Sequence, residues 1–473
     1  MQDDPLSAAM RARAPGQTLV DTLVDALAAD IVNGRLRAGQ RLPSVRELAR
    51  RAGVSSSTAT TVWDKMVALG HVEARRGSGY YVRALPGTAV AVSLAKSALA
   101  SRTSIDAAWL ARILREGGSL NTRPGSGSLP DTWFDNNLVQ AAVRAVGRRQ
   151  MSSLIRYGEP LGWLPLRSQL CVQLADIGVQ ANPRQIITTA GVAHAIELVV
   201  GKLLRSGDAV LVDDPGWFVL FEKLRSRGLR ILPVPWLADG PDLDRLDQLA
   251  RSYQPRLFIT QPVRHNPTGG TISVAKAHRL LQLAQAHDFL ILENDVWGEL
   301  APAGTTRIAT LDQLQRVVYA SSFSKTLAAG LRVGFIACDE NLVEGLIDQK
   351  LAAGLTTSEL NERVLHWILS EGHYRRGTAN IRDRLARMRD SALLRLEATG
   401  LRLGPHPPDG LFAWAQAPID TSVLAERAAA RGYVLAPGRL FSAGLSASSW
   451  MRVNLSACTN AGFLAMLKDE LQG

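Results

Sequence analysis

Short apolar runs alternate with helical patterns through the second half of the chain, and this alternation constrains the fold more than any other feature. The runs are QIITTA, AVLVDD, RLFITQ, FLILEN, VVYASS and VGFIAC, and a loop or a helical pattern follows each of them. Such alternation is typical of an α/β domain with a largely parallel central sheet. Ligands of such sheets bind at the carboxyl ends of the strands. Residues suited to chemistry lie at those ends: Gly191, Trp217, Asn266, Asn294 and Lys325.

Length and composition set broad limits on the class of protein. A chain of 473 residues predicts two domains, one of them large. No run approaches the roughly 18 to 20 apolar residues that cross a bilayer, and the N-terminus lacks the layout of a secretion signal, so we expect a cytoplasmic protein without membrane contact. The three cysteines form no CxxC pair and are expected to be packed thiols. The net charge of +11 favours anionic partners such as nucleic acid.

Residues 18 to 83 carry the signals of three short helices. Apolar residues recur every four positions and predict the first helix, with one stripe formed by Leu19, Leu23, Leu27 and Ile31. Ser44 and Glu47 have the S-x-x-E spacing of a capping box, which predicts the start of a second helix. Gly53 is suited to the left-handed C-cap that ends it. The tight turn AGVS then joins this helix to the next one, as in a helix-turn-helix.

A third helix and a hairpin complete this first domain. Ser55 is placed to cap the helix, and its expected buried face consists of Ala59, Val62, Met66 and Leu69. The stretch HVEARRGSGYYV predicts two strands joined by a turn at Gly77 and Gly79, with Arg75 and Arg76 near the tip like a wing. Small helical domains that bind no DNA show the same order of elements, so the pattern alone leaves DNA binding open.

The stretch GRLRAGQRLPSVRELARRAGVSSSTATTVWDKMVALGHVEARRGSGYYV resembles the winged-helix DNA-binding domain of the GntR family of bacterial repressors. The motifs G-x-x-L-P-S-x-R-E-L-A and G-x-G-x-x-V are highly specific. In that family the arginine of L-P-S-x-R, the third helix and the wing glycines contact operator DNA, and arginine suits bidentate contact with guanine or phosphate. The resemblance implies an α+β winged helix-turn-helix domain whose DNA-binding residues are Ser44, Arg46, Ser55, Ser56, Ser57, Thr58, Arg75, Arg76, Gly77 and Gly79.

One departure from this family lies at the start of the third helix. The family usually has an arginine directly after the serine that opens this helix, whereas this chain has Ser56 after Ser55. Serine can donate to a phosphate or a base, but it lacks the charge and the reach of arginine. We therefore expect a different operator preference and a greater dependence on Arg46, Arg75 and Arg76.

Residues 84 to 122 predict a linker between the two domains. This stretch is rich in Ala, Ser and Gly, a composition that indicates moderate flexibility. The pattern SIDAAWLARILRE predicts one helix within it. The second domain then spans residues 123 to 473.

The stretch SSFSKTLAAGLRVGF, residues 321 to 335, resembles the lysine motif of fold-type I aminotransferases. Lysine is seldom buried without a partner, and burial favours the neutral amine that attacks carbonyl groups. YGEPLGWLPLR, DDPGW, RHNPTGG and MRVNLS match further motifs of that family in the family's order. The resemblance implies that the second domain is an α/β, fold-type I, aminotransferase-like domain that binds pyridoxal 5'-phosphate.

The resemblance also implies how the cofactor is held at its aldehyde and its phosphate. Lys325 corresponds to the lysine that forms the Schiff base. Ser322 and Arg332 correspond to residues that hold the phosphate through a hydroxyl and a charged fork. Gly191 and Val192 open a helix whose free amides face the same phosphate.

The remaining roles concern the ring, the substrate and a second subunit. By the same resemblance, Trp217 stacks on the pyridine ring, Asn266 donates to its phenolic oxygen, and Arg452 binds a substrate α-carboxylate. Tyr157 matches a tyrosine that reaches the phosphate of the neighbouring subunit, which implies a homodimer. Alone, each of these residues is more typical of a core, a turn or an ion pair.

Several departures from this family affect the expected chemistry. In the stretch ENDVW, Asn294 stands where the family has an aspartate that keeps the pyridine nitrogen protonated, and Trp297 stands where it has a tyrosine. An amide does not stabilise a pyridinium as a carboxylate does, so transamination should suffer. A shift of one residue would bring Asp295 into that position, although alternation along a strand normally turns it away. Ala193 and Ala329 also replace residues common in the family, which lowers the expected cofactor affinity.

A GntR-like winged helix followed by an aminotransferase-like domain is the architecture of the MocR/GabR family of transcriptional regulators, which this chain resembles. The resemblance implies a homodimer that binds double-stranded operator DNA and senses pyridoxal phosphate, together with an amino-acid-like effector. Lys325 is then expected to hold the cofactor without turnover. Two alternatives remain: an active aminotransferase with a DNA-binding appendage, and a regulator that no longer binds the cofactor and uses the domain only for dimerisation.

Overall fold

A computed structural model describes residues 17–32, 34–83, 110, 120–148, 155–404 and 409–472. The chain divides into two units, residues 1–104 and 105–473. The predicted linker helix lies outside the described residues except for Leu110, so the linker bounds of 84 and 122 stay a prediction. Across the described ranges, no helix combines the length and the apolar character that a membrane crossing needs.

The first unit contains the three helices and the hairpin that the sequence predicts. Its elements are α1 Leu19–Val32, α2 Val45–Ala52, α3 Ser56–Ala68, β1 Val72–Arg75 and β2 Gly79–Val82. The two strands pair antiparallel with Val72 opposite Val82. Gly53 has a φ of 66°, which makes it the left-handed C-cap of α2. The predicted order of elements is therefore confirmed.

The buried face of α3 differs from the prediction at one end. Ala59, Val62 and Met66 are buried as expected, but Leu69 is 53% exposed. The helix ends at Ala68, so Leu69 is its C-cap and no longer follows the helical stripe. Trp63 is fully buried instead and stacks on Tyr80 of the wing, with 5.3 Å between ring centroids. The prediction was wrong because a stripe drawn by hydrophobicity does not reveal where the last turn ends.

An eight-stranded mixed sheet organises the second unit. Its strands are β3 Ile186–Thr189, β4 Ala209–Asp214, β5 Arg230–Leu237, β6 Gly240–Pro241, β7 Leu257–Thr260, β8 Leu290–Asn294, β9 Val317–Ser322 and β10 Gly334–Ala337. Their order is β3-β10-β9-β8-β7-β4-β5-β6. The central pairs from β5 to β9 are parallel, whereas β10 runs antiparallel to both of its neighbours. All six predicted runs form strands, which confirms the α/β class.

The sequence did not predict β5 because two prolines interrupt its apolar pattern. Pro233 and Pro235 point to solvent, while Leu232, Val234 and Trp236 are buried on the other face. Proline is tolerated near a sheet edge, where it removes few ladder hydrogen bonds. Here β5 is followed only by the two-residue strand β6 at that edge.

The helices of the second unit cover both faces of this sheet and also pack in the C-terminal part of the unit. They are α4 Asn136–Gly147, α5 Leu164–Asp176, α6 Val192–Leu203, α7 Phe218–Ser226, α8 Leu243–Tyr253, α9 Val274–Ala286, α10 Ile308–Asp312, α11 Glu340–Gly354, α12 Glu359–Ser370, α13 His373–Glu397, α14 Thr421–Ala430 and α15 Ala461–Gln472. One apolar cluster joins the sheet to α5, α8, α9 and α12, and a second joins its other face to α6, α7 and α11. The strands are therefore buried on both sides, which explains their continuous apolar sequences.

A smaller antiparallel sheet lies in the C-terminal part of this unit, and the sequence did not predict it. Its strands are β11 Arg402–Leu403, β12 Phe412–Gln416, β13 Ala436–Pro437 and β14 Trp450–Asn454, in the order β11-β12-β14-β13. Arg452 lies on β14 opposite Trp414 of β12. This sheet brings the arginine motif to the site described below.

A buried polar network stabilises the strand that leads to the site. Lys350 Nζ donates to the hydroxyl oxygens of Thr188 (3.3 Å) and Thr357 (3.2 Å). The Thr188 hydroxyl in turn donates to the carboxylate of Glu362, which also accepts the backbone N–H of Trp163. Burial lowers the pKa of Lys350 to about 8. The network thereby connects β3 to α11 and α12 just before the chain enters the pocket.

Candidate functional site

A cavity of about 650 Å³ lies at the carboxyl ends of the central strands. Its size falls within the range of about 300 to 1,000 Å³ that is typical of small-molecule sites. Most of the predicted site residues of the second domain line it: Val192, Trp217, Asn266, Asn294, Trp297, Ser322, Lys325, Arg332 and Arg452. Gly191 lies next to this lining, and Tyr157 lies elsewhere, 80% exposed.

Lys325 lies on the loop that follows β9 and points into the cavity. Its Nζ donates to the backbone carbonyl of Gly127 at 2.7 Å. The same Nζ is 5.9 Å from the ring centroid of Trp297. The side chain is half-buried, so a small carbonyl compound in the cavity could reach its amine.

Arg332 and the start of α6 form one end of the cavity. The guanidinium donates to Ser324 Oγ at 3.1 Å and to the carbonyl of Ala190 at 2.6 Å. Gly191 is the N-cap of α6 with a φ of 87°, and a Cβ atom there would lie 2.7 Å from Arg332 Nη2. A helix N-terminus beside a guanidinium and serine hydroxyls is suited to an anion. These residues fit the phosphate of pyridoxal phosphate.

Asn294 ends β8 and brings an amide to the middle of the cavity. The side chain is buried, and its Oδ1 has no hydrogen-bond partner among the described residues. An amide can present either its oxygen or its NH2 group, so it can donate to an unprotonated ring nitrogen. Asn294 therefore fits the pyridine ring, but without the negative charge that would keep its nitrogen protonated.

Asp295 is turned away from the cavity into a separate buried network. Its Oδ2 accepts hydrogen bonds from Arg307 Nε at 3.1 Å and from the Tyr319 hydroxyl at 2.8 Å. The register pairs Asn294 with Ala320, without the shift that would exchange the two side chains. Asp295 is thus unable to replace the missing aspartate, as alternation along the strand predicts.

Arg452 is buried at the other end of the cavity without an acidic partner in the described part of the chain. Its Nη1 donates to Asn266 Oδ1 at 2.7 Å and its Nη2 to the carbonyl of Gly125 at 2.6 Å, while Nε has no partner among the described residues. The guanidinium carbon lies 4.7 Å from the ring centroid of Phe412 and 4.9 Å from that of Phe441. Burial lowers the pKa of Arg452 to about 9. A buried cation with an unused donor fits a carboxylate.

The segment that contacts both Lys325 and Arg452 was not predicted from the sequence. Gly127 contacts Lys325 and Gly125 contacts Arg452, both through backbone carbonyls. Gly125 has no room for a side chain, because a Cβ atom there would lie 2.6 Å from the backbone nitrogen of Ala436. The only available signal was the pair of glycines in RPGSGS, which also suits a loop without any function. Phe412 was missed because the predicted motifs do not include β12.

The first unit carries a separate candidate site for nucleic acid. Ser55 caps α3 by accepting the N–H of Thr58 at 3.1 Å, and its hydroxyl lies 2.8 Å from those of Ser57 and Thr58. Ser44 caps α2 by accepting the N–H of Glu47 at 3.3 Å. These two predicted DNA-binding serines are therefore engaged in capping the helices. Ser56 and Ser57 are exposed at the start of α3.

The arginines of this unit differ in their surroundings. Arg46 on α2 and Arg76 at the wing tip are both exposed. Arg75 Nε donates to Glu73 at 2.8 Å, and the Arg75 guanidinium carbon lies 4.3 Å from the ring centroid of Tyr81. The turn between the strands requires positive φ at Gly77 (76°) and Gly79 (104°). The charge of Arg75 is thus already partly neutralised within the wing.

Comparison with known proteins matches both units. Residues 125–468 match the family described as aminotransferase class I and II, and residues 19–82 match the bacterial regulatory proteins of the gntR family. The chain is 30% identical over 434 residues to the HTH-type transcriptional regulator TauR of Rhodobacter capsulatus, covering 87% of each chain. It is 29% identical over 366 residues to the probable rhizopine catabolism regulatory protein MocR of Rhizobium meliloti, covering 74% of this chain and 72% of that protein.

A solved structure supports the assignment of the larger fold. The α-aminoadipate aminotransferase LysN from Thermus thermophilus superimposes with a TM-score of 0.70 and 26% identity. The superposition covers 77% of this chain and 94% of that chain. The second unit therefore has the fold-type I aminotransferase fold.

We expect Gly191→Ala to weaken the binding of pyridoxal phosphate by about 10-fold to 100-fold, or roughly 1 to 3 kcal/mol, because the added Cβ displaces the Arg332 guanidinium from the phosphate. The added Cβ would lie 2.7 Å from Arg332 Nη2 at a φ of 87°. The dissociation constant, measured by fluorescence titration, tests this. Gly330→Ala is the matched control, because Gly330 lines the same cavity and a Cβ there meets no atom within 4 Å. Equal affinities of the two variants would contradict the phosphate assignment.

Proposed function

Because the chain belongs to the MocR/GabR family, in which a GntR-type winged helix precedes an aminotransferase-like domain, we propose that it is a dimeric regulator that senses pyridoxal phosphate and an amino compound. Effector binding to the large unit changes the affinity of the winged helix for operator DNA. The observation that carries the proposal is the composition of the cavity. It retains Lys325, Arg332 and Arg452 but holds the amide of Asn294 where catalysis requires a carboxylate.

Different residues of the cavity bind different parts of the cofactor. When bound, pyridoxal phosphate supplies an aldehyde carbon that condenses reversibly with a primary amine, and Lys325 provides the amine of the protein. Arg332, Ser322 and the N-terminus of α6 bind the phosphate. Trp217 packs on the ring, and Asn294 donates a hydrogen bond to its nitrogen.

Arg452 binds the carboxylate of the amino compound. Among the described residues its Nε has no partner, and its Nη2 donates to the Gly125 carbonyl. A carboxylate accepts two parallel hydrogen bonds from a guanidinium and supplies the negative charge that this buried site lacks. Asn266 keeps the guanidinium oriented through its Oδ1, which leaves its NH2 group available for the phenolic oxygen of the cofactor.

The dimer and the response to effector follow from the same family assignment. Tyr157 is 80% exposed, which is consistent with a tyrosine that reaches into the site of a second copy. An effector shifts the population toward the state that it binds more tightly, and the DNA affinity changes by the same coupling free energy. Couplings of about 1 to 3 kcal/mol, or about 5-fold to 150-fold in affinity, are typical.

Lys325→Ala tests the sensing site directly. We expect pyridoxal phosphate to give the wild-type protein an absorbance band distinct from that of the free cofactor, and the variant to show none, because it lacks the amine. Lys468→Ala on the exposed face of α15 is the control and should keep the band. The same proteins are then assayed on duplex DNA selected from a random library. A band in the wild type without any effect of cofactor or amino compounds on DNA affinity would contradict the sensing function.

Asn294→Asp tests why the site favours sensing over turnover. A carboxylate at position 294 would hold a proton on the ring nitrogen, and a gain of about 1.4 kcal/mol in transition-state stabilisation is tenfold in rate. We therefore expect transamination between amino acids and 2-oxo acids to rise at least about tenfold. Asn294→Ala, which removes the side chain without adding charge, should not raise it. A wild-type rate equal to that of Asn294→Asp would favour the active aminotransferase instead.

The wing arginines should contribute unequally to DNA binding. Because Arg75 is paired with Glu73, we expect Arg76→Ala to weaken the binding of mixed-sequence duplex DNA more than Arg75→Ala does. The loss of one phosphate contact should also reduce the slope of log affinity against log salt by about 1 for Arg76→Ala. Fluorescence anisotropy at several salt concentrations measures both quantities. A larger loss for Arg75→Ala would show that its pairing with Glu73 does not persist on DNA.

A further inference from the structure

Two aromatic rings, Trp297 and Phe412, form a wall of the cavity between Lys325 and Arg452. Trp297 lies 5.9 Å from Lys325 Nζ, measured to its ring centroid. Phe412 meets Trp297 edge to face, with 5.5 Å between ring centroids and an interplanar angle of 89°. The Phe412 ring in turn lies 4.7 Å from the guanidinium carbon of Arg452. A ligand that extends from Lys325 to Arg452 therefore lies along these two rings.

The amine and the carboxylate of the ligand must lie close together. Lys325 Nζ donates to the carbonyl of Gly127 at 2.7 Å. A Cβ atom on the same glycine would lie 3.5 Å from Arg452 Nη2. Gly127 thus bonds one cation and lies near the other, so the two cations are close together. This spacing suits an α-amino acid better than a compound with a long chain between its amine and its acid.

Each charged residue of the cavity already has a role in the proposed function. The charged residues in its described lining are Lys325, Arg332 and Arg452. Lys325 supplies the amine that condenses with the cofactor, Arg332 binds the phosphate and Arg452 binds one carboxylate. No described cation of the lining therefore remains for a second carboxylate. No described residue of the lining is acidic, so a basic side chain would lack a partner too. Moving an unpaired charge from water into the cavity is unfavourable, whereas burying an apolar side chain there is favourable.

We propose, building on the proposed function, that the effector is an α-amino monocarboxylic acid with an apolar side chain, selected by the wall of Trp297 and Phe412. Trp297 occupies the position at which the resembled aminotransferases have a tyrosine. Here its indole ring contributes apolar surface beside Lys325, and Phe412 extends that surface to Arg452. Trp297 is therefore a specificity-determining residue.

L-leucine and L-aspartate provide a sharp test, because their side chains have nearly the same shape but one ends in two methyl groups and the other in a carboxylate. Each is titrated by calorimetry into the full-length protein loaded with pyridoxal phosphate. We expect leucine to bind on the order of 100-fold more tightly than aspartate. L-lysine, which adds a positive charge, should also bind more weakly than leucine. Equal binding of leucine and aspartate, or tighter binding of aspartate, would overturn the proposal.

A second pair of ligands separates this proposal from the proposed function. 4-Methylpentanoate and succinate are leucine and aspartate without the amine, so they are titrated into the cofactor-free Lys325→Ala variant in saturating inorganic phosphate. The phosphate occupies Arg332 and the variant removes the other cation, so the binding of either acid depends on Arg452 and the aromatic wall alone. We expect 4-methylpentanoate to bind more tightly than succinate even if pyridoxal phosphate gives no absorbance band. That result would support the selectivity of the aromatic wall and contradict the proposed sensing of pyridoxal phosphate. A preference for succinate, or no binding of either acid, would contradict the apolar wall.

Trp297→Arg tests the aromatic wall through a gain of aspartate affinity rather than a loss of leucine affinity. The variant adds a cation beside Lys325, so the ratio of leucine affinity to aspartate affinity should fall at least tenfold, chiefly through tighter binding of aspartate. An unfolded variant would not bind aspartate better, so the result is independent of a folding defect. Trp414→Phe is the control, because Trp414 stacks on Trp450 and is absent from the cavity lining. An unchanged ratio in Trp297→Arg would remove Trp297 from the specificity site.

Discussion

The burial of Arg452 without an acidic partner in the described part of the chain is the feature on which the arrangement of the pocket depends. A guanidinium removed from water needs other groups to replace its hydration, because an isolated charge in a protein interior is costly. Asn266 and Gly125 supply oxygen atoms, while Phe412 and Phe441 supply ring faces that attract a cation. These groups come from the loop after β7, the segment before the large sheet, and the small C-terminal sheet with its adjoining turn. Three distant parts of the chain thus meet around one cation, and its Nε remains available to a ligand.

The two sides of β8 show how a small change in sequence alters what the pocket can do. On the cavity side, Asn294 presents an amide whose oxygen has no partner among the described residues. Asp295, the residue after β8, points to the opposite side, where Arg307 and Tyr319 hold its carboxylate. Turning Asp295 into the cavity would break these hydrogen bonds. The carboxylate that would activate the cofactor is thus next to the required position along the chain but on the wrong face. A site of this kind retains binding residues while it loses the group that drives turnover, which suits a sensor.

Local signals predicted much of the fold and part of the site. The six apolar runs became strands, and Ser44 and Ser55 cap the helices whose starts they mark, because strand burial and helix capping depend on residues close in sequence. The positions of Lys325 and Arg332 were apparent from one continuous motif. β5 was not predicted because its two prolines interrupt the apolar pattern of a strand. The burial of Trp63 was not predicted because hydrophobic periodicity does not show which side chain fills the core.

The sequence by itself determined the elements of the first unit, six strands of the large sheet, the two-part organisation, and the residue types available for anion, amine and DNA contacts. Only the tertiary structure decided which of these residues meet. Gly127 and Lys325 are separated by 198 residues, and Gly125 and Arg452 by 327, yet each pair shares a hydrogen bond. The same applies to the aromatic wall, since Trp297 lies in the loop after β8 and Phe412 lies on β12 of the smaller sheet. Such contacts follow from the packing of whole layers, which depends on shape and burial across the molecule, and no local pattern in the chain encodes that packing.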